Sequence, residues 1–214
     1  NNVVRRSEIF NAKWLTHMGR ILGGCRTIVE AIWARRSCVV HCSDGMDHTA
    51  QLCAGSEICL DPYYRTFEGF RVLLQREWHS FGHKVRDRTW GQLKPDGSIK
   101  ADEVSPVLLQ YLDYCHQLMY AHPKCFEFNE WFLLSLLDCL HKGCSNFHVN
   151  TEREYWQRRE DGATVEYWSF MDGENRQQYV NPKYDAEYSN SYQAPAPRPN
   201  VAPKIGSIMP PRVA

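Results

Sequence analysis

One β-branched run, Ser37-Cys38-Val39-Val40-His41, stands alone among segments patterned for helix, and it constrains the fold more than any other feature of the chain. Its unbroken apolar character after the basic pair Arg35-Arg36 reads as a single buried strand. One strand cannot make a sheet, and parallel strands occur in sheets covered on both faces. The expectation is therefore an α/β domain, helix-rich and incomplete at its N-terminal side, whose partner strands lie upstream or outside the chain. The opening Asn-Asn-Val-Val-Arg-Arg has neither an initiator Met nor the apolar core of a secretory signal, which points to a fragment of a longer product.

The helices are read from spacing. From Asn11 to Arg35, apolar residues recur at Trp14, Leu15, Met18, Ile21, Leu22, Cys25, Ile28, Val29 and Ile32, the three-four repeat of a long amphipathic helix. Gly23-Gly24 weakens its middle by roughly 1 kcal/mol per glycine relative to alanine, which leaves room for a kink there. Thr49 to Leu60 is a second helix, ended by Asp61-Pro62. Thr66 to Phe81 is a third, with Gly82 as its stop, and Thr89 to Glu103 is a surface loop. Ser105-Pro106 opens a helix to about Tyr120, with the serine as cap. Asn129 to Leu140 is apolar nearly all round and is expected to be buried. Thr164 to Met171 alternates briefly like a strand. The division is a domain over 1–185 and a disordered tail over 186–214, the latter carrying six prolines and few large apolar residues.

Composition narrows the function. With 214 residues, 25 basic and 25 acidic side chains, the chain has no global field to gather nucleic acid, and none is expected as a partner. No apolar run is long enough to span a bilayer. Nine cysteines at irregular spacing, most inside apolar stretches, read as free thiols of a reducing, cytoplasmic compartment. Cys139, His141, Cys144 and His148 have no common zinc spacing, and His79 and His83 lack a companion carboxylate, so neither a metal nor another cofactor is expected. Arg65, Arg71, Arg76, Lys84, Arg86 and Arg88 form a local basic region, read as a solvated face that could help dock an anionic lipid head group.

The chemistry gathers in Val39-Val40-His41-Cys42-Ser43-Asp44-Gly45-Met46-Asp47-His48-Thr49-Ala50. A cysteine between a strand and a helix start, joined by a short loop, sits in a ring of backbone N–H groups. That ring and the helix N-terminus favour thiolate and phosphate alike, so Cys42 is expected to be acidified and nucleophilic. Gly45 supplies the positive φ such a loop needs. Asp44 and Asp47 suit turn and N-cap positions, which is compatible with acid catalysis.

This stretch resembles the signature of the myotubularin phosphatases, His-Cys-Ser-Asp-Gly-Trp-Asp-Arg-Thr. The resemblance extends to Leu60-Asp61-Pro62-Tyr63-Tyr64-Arg65-Thr66-Phe67-Glu68-Gly69-Phe70, Glu77-Trp78, Ser80-Phe81-Gly82-His83-Lys84, Ser105-Pro106-Val107, Phe126-Glu127-Phe128-Asn129-Glu130 and Asn181-Pro182-Lys183-Tyr184. It implies the C-terminal part of a catalytic domain of the cysteine-dependent phosphatase fold, related to the protein tyrosine phosphatases. It also implies a phosphoinositide head group as ligand, peripheral membrane contact, and homo- or hetero-oligomeric association with a myotubularin partner. By resemblance, Cys42 is the nucleophile on the 3-phosphate, Asp47 the general acid and Asp44 its companion. Ser43, Gly45, Met46, His48 and Thr49 line the phosphate cradle.

Two positions depart from the signature: its tryptophan is Met46 and its arginine is His48. Arginine has a planar fork and a permanent charge, whereas imidazole has two divergent nitrogens and titrates near neutrality. Losing one preorganised donor costs about 10²–10³ in rate, and losing the charge costs more. The sequence thus supports an impaired member serving as a lipid-binding or partner-binding adaptor. It leaves open a weak 3-phosphatase on phosphatidylinositol 3-phosphate and the 3,5-bisphosphate, acting through a phosphocysteine. A phosphotyrosine phosphatase is the weaker third reading, since the Asp-Gly-x-Asp interior resembles the lipid branch.

Overall fold

Leucines and aromatics spaced for one face draw five helices around a shared aromatic core. The computed structural model describes residues 12–142, 147–162, 168–169 and 173–191. Helix α1 (Trp14–Trp33) buries Met18, Ile21, Cys25 and Val29 and lies along α2 (His48–Leu60). It runs unbroken through Gly23-Gly24, so the two glycines do not end the helix. Its middle is glycine for another reason: a Cβ on Gly24 would stand 2.7 Å from Leu52 Cδ2, so the bare backbone lets the two helices approach.

After a 3₁₀ turn (Pro62–Arg65), α3 (Phe67–Leu74) starts on a true cap, Thr66 accepting from the Gly69 N–H. It continues as a π-helical turn (Gln75–Ser80), then α4 (Val85–Trp90). The predicted surface loop after it holds a two-residue antiparallel pair, β1 (Gln92–Leu93) and β2 (Ile99–Lys100). Helix α5 (Val107–Ala121) opens with Pro106 at its N-cap position and without a side-chain cap from Ser105. Helix α6 (Glu130–Lys142) corrects a second expectation. It buries one face, Phe132, Leu133, Leu136 and Leu140, and leaves Trp131 and Asp138 exposed. Helix α7 (Glu152–Glu160) and the short α8 (Ala186–Ser191) complete the described helices.

The core lies where α2, α3, α5 and α6 meet. Phe67, Phe70, Phe128 and Phe132 form a cluster with ring centroids 4.7–5.9 Å apart, and Tyr111 and Trp78 close it at 5.1 Å. Each such side chain contributes roughly 1.5–3 kcal/mol by burial alone. Arg65 is buried too. Its guanidinium donates to the carbonyls of Ile58 and Cys59, in the last turn of α2, and to that of Ser189. The open end of α2 is thereby capped and α8 is tied to it. The boundary expected at residue 185 is therefore too early, since the first six residues assigned to the tail are this anchored helix. Residues 192–214 lie outside the described residues, as does most of the alternation expected over 164–171.

The run Ser37–His41 does not form the buried strand the sequence predicts. It is extended, Val39 is 90% exposed, and no backbone hydrogen bond joins it to another described residue. The physical reason is that no described residue stands beside it as a ladder neighbour. A strand is stable only with a ladder partner, and β1 and β2 pair only with each other.

Candidate active site

The run 37–41 delivers Cys42 to the foot of α2, and the chain from Ser43 to Asp47 curls around the thiol before the helix begins at His48. Gly45 adopts φ +82°, as the tight loop requires. Its N–H donates to Cys42 Sγ at 3.2 Å, and Thr49 Oγ1, on the first turn of α2, donates to the same sulfur at 3.2 Å. The thiol also lies 3.7 Å from Asp44 Oδ1, which accepts the Met46 N–H at 3.1 Å in an Asx turn. The Thr49 hydroxyl, followed by the loop amides of Gly45, Asp44 and Thr49, holds the Cys42 thiol below its ordinary pKa against a modest opposing effect of burial. Cys42 remains partly open to solvent.

Asp47 holds the N-cap position without capping through its side chain. The carboxylate turns instead to α4, where Arg88 grips both oxygens at 2.9–3.2 Å. His83 Nδ1 meets Oδ1 at 3.0 Å. Burial would raise the Asp47 pKa, but hydrogen bonds from His83 and Arg88 and the guanidinium charge of Arg88 overcome it and take the carboxyl down to about 2. Arg88 is held in turn by Glu103, at 2.6 Å.

The remaining cradle residues are placed differently. Ser43 and His48 are exposed, and the His48 side chain makes no hydrogen bond or ion pair with any described residue. Met46 contributes its backbone, with its carbonyl on His83 Nδ1 at 2.9 Å. The arginines of the basic region are mostly paired: Arg65 is buried on carbonyls, while Arg71 pairs with Glu68, Arg76 with Glu57 and Glu77, and Arg86 with Glu154 at the partly exposed surface. Among the described residues no group of three His, Cys, Asp or Glu could hold a metal ion, and Cys144 lies outside them.

Sequence reasoning missed the contacts of Arg88 and His83 with Asp47. Both residues sit in or beside the Ser80–Lys84 motif, but they reach the loop from about 40 positions downstream. Only the fold shows the contact.

Comparison with known proteins finds related chains. A family model described as the myotubularin-like phosphatase domain matches residues 3–156. The human phosphatidylinositol-3-phosphate phosphatase MTMR7 is 39% identical over 184 residues, covering 85% of this chain and 27% of that protein. The human phosphatidylinositol-3,5-bisphosphate 3-phosphatase MTMR6 is 39% identical over 85% of this chain and 28% of its own length. A Caenorhabditis elegans protein of the same description is 36% identical over 80% of this chain and 25% of its own. The chain thus spans less than a third of the length of these curated relatives.

Proposed function

The chain belongs to the myotubularin-like phosphatases, and from that membership we propose that its Cys42 loop takes the phosphorylated inositol head group while turnover is impaired. In this reading the protein acts as a lipid-binding or partner-binding adaptor, peripheral to a membrane in the cytoplasm and assembled with another myotubularin. The observation that carries it is His48. At the position of the signature arginine stands an exposed imidazole whose side chain makes no hydrogen bond or ion pair with any described residue, in place of a permanently charged, two-pronged guanidinium. The clamp on Asp47 adds a second impediment. Held at about 2, below an ordinary aspartate, the carboxyl carries a proton for the leaving inositol oxygen less often than an unclamped one would.

The environment of Cys42 supports the other reading, a slow 3-phosphatase. An acidified thiolate in a ring of N–H groups can attack phosphorus, forming the S–P bond as the bond to the inositol oxygen breaks. Water then hydrolyses the phosphocysteine. In the full-length protein, we propose that Ser37–His41 pairs as a strand of the phosphatase sheet. Its extended, exposed course without a described partner supports this.

The deciding experiment is phosphate release from phosphatidylinositol 3-phosphate and its 3,5-bisphosphate by the folded full-length protein, beside Cys42→Ser and His48→Arg. A silent native protein and an active His48→Arg variant are expected, with a gain of about 10²–10³. Release by the native protein that Cys42→Ser abolishes would overturn the adaptor reading in favour of the slow enzyme. A preference for phosphopeptide would overturn the lipid assignment.

A further inference from the structure

His83 lies outside the loop, on the turn between the π-helical segment and α4, yet it touches the loop twice. Its Nδ1 stands 2.9 Å from the Met46 carbonyl and 3.0 Å from Asp47 Oδ1. Both of those atoms can only accept, so Nδ1 carries the hydrogen. The other nitrogen, Nε2, is buried and finds no hydrogen-bond partner among the described residues. The side chain is fully buried, edge-on to the Trp78 ring at 4.8 Å and 87°. An imidazole fixed on one side by aromatic packing, with a single N–H shared between two consecutive loop residues, is a rigid strut rather than a mobile surface group.

We infer that His83 is a positioning residue of the phosphate cradle, fixing the Met46–Asp47 peptide and the Asp47 carboxylate together from outside the loop. This rests on the reading of the Cys42 loop as that cradle. The peptide bond is planar and trans, so anchoring the Met46 carbonyl on His83 turns the Asp47 N–H to the opposite side. The chain direction into α2 is set by that plane. With it are set the placement of the Thr49 hydroxyl and the Gly45 N–H on the sulfur. His83 touches neither the sulfur nor the phosphate position and acts only through these two residues.

Asparagine can place an N–H where Nδ1 stands, whereas the longer glutamine displaces it, and phenylalanine keeps the packing on Trp78 without any donor. The test follows alkylation of the Cys42 peptide by iodoacetamide across a pH series in the full-length protein and in His83→Asn, His83→Gln and His83→Phe, with cooperative melting checked in each. The expected result is that His83→Asn tracks the native protein, while His83→Gln and His83→Phe react about tenfold more slowly at neutral pH, reflecting a smaller thiolate population. Equal rates in native and His83→Gln, or His83→Asn as slow as His83→Gln, would overturn the inference. Nitrogen NMR of native His83 tests it without any variant, since the hydrogen must reside on Nδ1 and finding it on Nε2 overturns the strut. A native Cys42 no more reactive than an ordinary thiol would overturn the cradle reading and this inference with it. A reactive native Cys42 indifferent to all three variants would overturn the role of His83 alone.

Discussion

Two groups of cysteines sit at opposite ends of α2 and obey opposite physics. At the N-terminal end, Cys42 faces solvent and receives hydrogens from Thr49 and Gly45, and its thiol is held below the ordinary value. Towards the C-terminal end, Cys59 packs with Cys25 and Cys115 around Tyr114, all three fully buried or nearly so. There burial comes first and raises all three thiols, Cys25 up to about 12. The same side chain is a donor-fed, acidified thiol in one place and a small hydrophobe in the other. What separates them is the supply of donors against the loss of water.

That contrast predicts the largest effect. At neutral pH a thiol at about 12 is ionised to roughly one part in 10⁵, and Cys25 is sealed from reagent besides. Brief iodoacetamide treatment of the folded protein should therefore label Cys42 at least about 10³-fold faster than Cys25, with peptide mass spectrometry reading each site. Comparable labelling of the two would erase the distinction.

Histidines extend the comparison to stability. His79 is buried against Phe147 and Tyr155, and loss of water lowers it to about 3. His148, beside Trp90, falls to about 4 through burial and then the nearby Arg158 and Arg86. Both are depressed below the unfolded value of 6.5, so the folded state prefers them neutral. Their stabilising contribution is complete above 6.5 and is lost as pH falls through the folded values, because the unfolded chain binds the protons first. At about pH 5 the loss is about 2 kcal/mol for each histidine. Asp47 adds its own loss only below 3.8, on the way to its folded value of about 2. Urea unfolding midpoints should fall between about pH 7 and 5, and His148→Asn should remove its share of the slope. A flat midpoint over that range would contradict the assignment of both imidazoles to the dry interior.

The sequence made the geometry of the Cys42 loop legible because its parts are contiguous. Cys42, Gly45 and Thr49 reach one another through local geometry that residue type and spacing dictate. Helix α1 was legible for the same reason, its apolar stripe being a periodic and local signal. What failed was everything that depends on a neighbour. The β-branched run 37–41 carries strand propensity but no information on whether a ladder partner stands beside it, and here it lies exposed. The apolar α6 hid which of its faces meets α5 and which meets water. The polar stretch of α8 gave no apolar repeat, because its anchor is Ser189 on the buried Arg65, 124 positions away. The clamp of His83 and Arg88 on Asp47 belongs to the same class of long-range polar contact.

The smallest effect is the sharpest test of the Cys42 side of the comparison. Thr49 donates the hydrogen bond that does most to lower the thiol, and valine matches threonine in shape while lacking the hydroxyl. Thr49→Val should therefore slow Cys42 alkylation about tenfold or less at neutral pH, the size expected from losing one hydrogen bond to a charged sulfur. The rate curves of variant and native protein should converge at high pH, where every exposed thiol is ionised. Convergence separates a changed thiolate population from a blocked site, since a loop that had collapsed over the sulfur would stay slow at all pH. Cys25, whose pKa is set by burial rather than by donors, should not respond. If Thr49→Val leaves Cys42 unchanged, the loop amides alone hold the thiolate, and the first turn of α2 serves the cradle through its backbone rather than its side chain.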